Sequence, residues 1–117
     1  MVKRTLEELK TYEAAGHFGC VAMRIHGRDE TGATKFWIGV STFLPSGGAQ
    51  YGYEDNPLEK VYYILEGEMT VTDKAGKKYV IRKDESISFA PNEGRLLKNE
   101  SNRPARMLVI INYPDAN

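Results

Sequence analysis

From residue 21 onward the chain changes character at every second position, in runs too short and too often interrupted to be helices. Val21, Met23 and Ile25 alternate with Ala22, Arg24 and His26, and residues 35–44 are rich in aromatic and β-branched side chains. Further runs of the same kind cover residues 69–72, 78–82, 86–90 and 106–111. Polar, glycine-bearing segments at 27–32 and 73–76 supply tight turns between them. Six to eight short strands of this kind predict an all-β sandwich or barrel. One helix is expected, at the start. Thr5-Leu6-Glu7-Glu8 has the spacing of a capping box, which predicts a helix over about residues 6–14, with Leu6 and Leu9 on its inner side and Gly16 as its stop.

A length of 117 residues suits a single domain spanning 1–117. Its 16 basic and 16 acidic residues cancel and are scattered, so no basic field is present to hold nucleic acid or an anionic membrane. No apolar run approaches the about twenty residues that span a bilayer, and the start leads into acidic sequence unlike a signal peptide. A cytoplasmic protein is expected. The single Cys20 excludes an internal disulfide and reads as a quiet buried thiol.

Residues 45–67 begin with the turn sequence Pro45-Ser46-Gly47-Gly48, pass through a polar loop and end in Tyr63-Ile64-Leu65-Glu66-Gly67-Glu68. This stretch resembles the first signature of the cupin family, and residues 83–99 resemble the second through Pro91 and Asn99. The resemblance covers most of residues 35–111 and implies a double-stranded β-helix, or jelly-roll, barrel preceded by a helical segment at 1–19. Together with outward Val61, Tyr63 and Leu65, it also implies a homodimer. The family's metal ligands are not matched. Its glutamate falls on Lys60, its histidine pair on Tyr53 and Asp55 or on Glu54 and Asn56, and its later histidine on Arg95 or Gly94, depending on register.

The residues themselves agree with that departure. A divalent metal wants imidazoles or clustered acids, and a lysine or arginine at its centre repels it. The two histidines, His17 and His26, have no histidine or glutamate partner at ligand spacing, and His17 reads as a surface or helix-capping imidazole. No metal and no cofactor are therefore expected. With the resemblance setting strand parity, Lys60, Tyr62 and Ile64 face into the barrel, and Arg95 and Leu97 do the same from a facing strand. Lys60, Arg95, Tyr51 and His26 then form a candidate seat for a small organic anion, with Tyr53 or Tyr62 as proton donor and Glu54 as proton acceptor. The expected function is metal-independent binding of such a molecule, with isomerase, decarboxylase or lyase chemistry. The alternatives are a non-catalytic sensor or accessory subunit and a structural dimer with a filled barrel.

Overall fold

The structure, a computed structural model, describes residues 1–115. Among these, nine strands form one antiparallel system: β1 (Thr11–Tyr12), β2 (His17–His26), β3 (Phe36–Gly52), β4 (Lys60–Glu66), β5 (Glu68–Thr72), β6 (Lys78–Arg82), β7 (Ser86–Phe89), β8 (Arg95–Lys98) and β9 (Ala105–Asn112). One helical turn, α1 (Arg28–Thr31), joins β2 to β3. The strand order is β6-β5-β8-β3-β9-β4-β7, with β2 also on β3 and β1 on β2. Its two ends, β6 and β7, are consecutive in the chain and separated only by the turn at 83–85, so the sheet rolls up on itself. The expected all-β jelly-roll barrel is what forms.

The long strand β3 makes the roll possible. Its first half pairs with β9, from Phe36↔Asn112 to Phe43↔Ala105, and its second half pairs with β8 through Gly48↔Lys98 and Ala49↔Leu97. The turn expected at 45–48 is therefore a kink within a strand, and the polar loop is confined to 53–59. Ser46 takes φ 70°, and Gly48 lies so close to the Leu97 carbonyl that any side chain there would collide with it. Glycine here serves close packing at a bend. Asn99, fully buried, ties the same corner: its amide donates to the Phe43 and Arg103 carbonyls at 3.3 and 2.7 Å, and its oxygen accepts from the Ser101 amide and hydroxyl.

The N-terminal helix is shorter than expected. A 3-10 turn covers Leu6–Glu8, opened by the expected Thr5–Glu8 capping box, in which the Glu8 carboxylate accepts from the Thr5 amide at 2.7 Å. Leu9 is already extended, and β1 pairs with β2 through Thr11↔Met23 and Tyr12↔Ala22. A nine-residue helix is marginal alone, and strand pairing with Tyr12 edge-on to Trp37, at 6.0 Å between centroids, replaces it. Gly16, at φ 70°, belongs to the β1–β2 turn.

Parity now assigns faces. Lys60, Tyr62 and Ile64 of β4 are buried with Met107, Val109 and Ile111 of β9 around a core that includes Phe43, Met69 and Leu97. The outer face carries the rung Met23↔Val40↔Leu108↔Tyr63 and beside it Ile38↔Ile110↔Val61. On β2 the inward residues are Ala22 and Arg24, whereas Val21 is half exposed. No helix is long and apolar enough to cross a membrane among the described residues.

Candidate functional site

Two cations sit inside the barrel without a carboxylate. Lys60, on β4 opposite Phe89, is 2% exposed, and Arg95, opposite Gly52, is 1% exposed. The Arg95 guanidinium donates from Nε to the Tyr62 hydroxyl and from Nη1 to the Gln50 carbonyl, both at 3.1 Å. Tyr53, turned inward by a left-handed backbone at φ 71°, offers its ring to both cations: Lys60 Nζ is 3.7 Å and Arg95 Cζ 4.9 Å from its centroid. Lys60 Nζ has no hydrogen-bond partner. Burial, and then Arg95, lower its pKa to about 8, with Glu93 partly opposing. Burial likewise raises the Tyr62 phenol, while Arg95 pulls it back toward ionisation.

Beside this pair lies a cavity of about 200 Å³. Tyr53 and Tyr62 bound one side; Ser41, Met107, Val109 and Ile111 line it from β3 and β9. The β1–β2 turn covers it with Tyr12, Glu13, Ala14, Ala15 and His17. Arg24 and Trp37 complete the wall. The Arg24 guanidinium is held between two aromatic rings, 4.7 Å from the Tyr12 centroid and 4.6 Å from that of Trp37, and its buried Nε has no partner. Burial pushes the Tyr12 phenol up to about 12, so it stays a neutral wall despite the nearby Arg24. His17 Nδ1 lies 2.9 Å from the Ala15 carbonyl, and its ring stacks on Phe43.

Of the residues singled out in the sequence, Lys60, Arg95, Tyr53 and Tyr62 come together, although Lys60 and Arg95 stand behind the Tyr53 ring and neither lines the cavity. Three others lie elsewhere. Glu54 points to the β5–β6 turn and pairs with Lys74 at 2.6 Å, which removes it from the barrel as a proton acceptor. Tyr51 is largely exposed, its hydroxyl against Gly94, and shares a surface hollow with Glu54. His26 bonds to Thr31 Oγ1 of α1 at 3.1 Å. For Tyr51 and Glu54 the cause is one backbone turn, since after Gly52 Tyr53 alone is swung inward; His26 ends β2 beyond a register shift. Conversely, sequence reasoning passed over Arg24, His17 and Glu13 as cavity residues. Arg24 shares its parity with small Ala22, the one signal that could have found it, but the apolar row Val21, Met23 and Ile25 masks it; His17 was not readable, because the helix expected before it is a strand pair.

The place where the family would hold a metal carries Lys60, Arg95 and Tyr53, and no three His, Cys, Asp or Glu side chains converge among the described residues. Two buried cations do not fit a divalent ion.

A family model described as a cupin domain matches residues 40–111. A Mycobacterium tuberculosis protein named β-D-galactosidase is 35% identical over 107 residues, covering 90% of this chain and 88% of that one. Among solved structures, the polyketide cyclase RemF from Streptomyces resistomycificus superposes with a TM-score of 0.83 at 20% identity, over 96% of this chain and 80% of its own. A protein described as a predicted oxalate decarboxylase from Thermotoga maritima gives 0.78 at 19% identity, over 96% and 98%. At such identities these two structures speak for the fold.

Proposed function

The chain belongs to the cupin family, and from that premise we propose that its barrel is a metal-independent seat for a small organic anion, with isomerase, decarboxylase or lyase chemistry on it. One observation carries this reading: Arg24 lines the cavity, Lys60 and Arg95 stand behind its Tyr53 wall, and no buried residue is an acid among the described residues. An entering carboxylate or phenolate supplies the missing counter-charge. Arg24 would meet it directly, since its Nε is desolvated and unpaired, while Lys60 and Arg95 act through the field behind Tyr53 and Tyr62. Tyr62 accepts from Arg95, which leaves its own proton free to donate to an oxygen that gains negative charge during reaction. The aromatic walls suit an unsaturated or aromatic body.

The relative named as a galactosidase favours a second reading, a sugar-like ligand. Glycoside hydrolysis ordinarily uses two carboxyl groups about 5–10 Å apart. Glu13 is the one acid on the cavity wall, so this reading amounts to sugar binding with other chemistry. The proposal also includes a homodimer through the outer apolar face built by Met23, Val40, Leu108, Tyr63, Ile110 and Val61.

A thermal-shift screen of small carboxylates, phenolates and their amides, run beside a nitrophenyl galactoside assay, tests the reading. Stabilisation by anions and not by the amides supports it. Hydrolysis of the galactoside with no anion response would replace it with the sugar reading, and a response to neither would favour a non-ligand role.

A further inference from the structure

We propose that His17 is the proton acceptor of this cavity, whose wall it shares with Tyr62, and that the substrate is a carboxylate with an enolisable carbonyl. This rests on the anion-binding reading above and assigns the group that reading lacks, since Glu54 is turned away to Lys74. The argument starts from the tautomer. A backbone carbonyl only accepts hydrogen bonds, so the 2.9 Å contact from Nδ1 to the Ala15 carbonyl places a proton on Nδ1. In the neutral ring the lone pair is then on Nε2. The ring is fixed by stacking against Phe43, 25° from parallel at 6.4 Å, and His17 forms part of the cavity wall.

The surroundings keep the ring neutral. Burial lowers its pKa below the ordinary 6.5 and Arg95 adds to this, while the bond to Ala15 acts in the other direction. The other charged groups on the wall are Arg24, which opposes an imidazolium, and exposed Glu13, which favours one; Tyr62 and Tyr12 face the same space as neutral phenols, and Tyr53 adds its ring. A neutral imidazole and a neutral phenol lining one cavity are an acid–base pair of the kind that moves a proton without a metal. In the step proposed, Nε2 takes the proton on carbon next to the carbonyl. The C–H electron pair becomes the enolate double bond, and the carbonyl oxygen takes the negative charge under the Tyr62 hydroxyl. The imidazolium then returns the proton to carbon, so the step needs neither oxidant nor reductant.

The test uses the full chain with 15N-labelled histidine. Two-bond proton–nitrogen NMR is expected to show His17 as the Nδ1–H tautomer, neutral at pH 7 and titrating below 6.5. Diethyl pyrocarbonate should acylate its Nε2 at pH 7, more slowly as pH falls through that midpoint. With 2-oxobutyrate in D2O, the protein should place deuterium at C3, and H17Q should lower the rate at least tenfold with unchanged affinity for the probe. An Nε2–H tautomer, a midpoint at or above 6.5, or an Nε2 inert to the reagent overturns the assignment. So does binding of 2-oxobutyrate without exchange, which leaves the anion reading standing. Failure of 2-oxobutyrate and of other small carboxylates to bind overturns the anion reading instead, and with it the substrate class; tautomer and reactivity then still decide whether His17 is a base.

Discussion

Replacing Lys60 with methionine should stabilise the fold at neutral pH. The amine titrates near 8 in the folded chain and near 10.5 when unfolded, because burial and Arg95 disfavour the ammonium. Below pH 8 both states carry the proton, and the folded state bears the whole penalty. At 1.36 kcal/mol per pH unit that penalty is about 3 kcal/mol. The seat on the Tyr53 ring offsets about 1–2 kcal/mol of it. Methionine keeps most of the aliphatic stem and removes the charge, so K60M should gain roughly 1–2 kcal/mol at pH 7, or about 4–8 °C in Tm for a domain of this size. The sign has a pH signature. Between 8 and 10.5 the folded chain releases its proton before the unfolded chain does, so wild-type stability rises relative to the variant and the gain fades. Urea unfolding of both proteins at pH 7 and pH 10 reads this directly. A variant less stable at pH 7, or a gain equal at both values, would refute the reasoning. A gain of the expected form marks the charge as a cost kept for binding.

Three other outcomes follow from the same geometry. Asn99→Leu strips the side-chain donor from the buried Phe43 carbonyl and one of two donors from the exposed Arg103 carbonyl, and should cost about 1–3 kcal/mol in chemical unfolding; a loss below about 0.5 kcal/mol would show the corner held by pairing alone. Protein prepared without metal-affinity resin should carry well below one transition metal per chain by elemental analysis, and stoichiometric metal would show that the loops assemble ligands despite Lys60 and Arg95. Sedimentation should give a dimer that L108D converts to monomer with its strand content unchanged; a wild-type monomer at all concentrations would leave the outer face to another occupant.

The all-β class was legible because alternation and turn residues are local signals, and the cupin resemblance narrowed it to a barrel. Asp73 and Gly76 behave as written: the Asp73 carboxylate accepts from the Ala75 and Lys77 amides, and Gly76 takes φ 88°. The inward row Lys60, Tyr62, Ile64 followed from period two once the cupin resemblance had set the parity. What failed depended on distant partners. Gly47 and Gly48 look like a turn in sequence and act as a contact surface for Gly19 and Leu97, residues about 30 and 50 positions away. The Thr5–Glu8 pattern reads as a helix start, yet β2 supplies backbone partners that extend the chain from Leu9. Glu54 and Tyr51 were misplaced by their nearness to Tyr53, because a single left-handed residue reverses which neighbours face inward. Arg24 was hidden by its setting among Val21, Met23 and Ile25, an apolar row that faces out and not in.

The central claim is that the cavity's cations hold an organic anion, and calorimetry with benzoate and benzamide against wild type, R24M and K60M tests it most directly. A charge-assisted hydrogen bond is worth about 1.5–3 kcal/mol, so R24M should weaken benzoate roughly tenfold to a hundredfold and leave benzamide unchanged. K60M, whose charge lies behind Tyr53, should weaken benzoate by a smaller factor in the same direction. Equal affinities of benzoate and benzamide for wild type, or benzoate binding untouched by both substitutions in folded protein, would contradict the account.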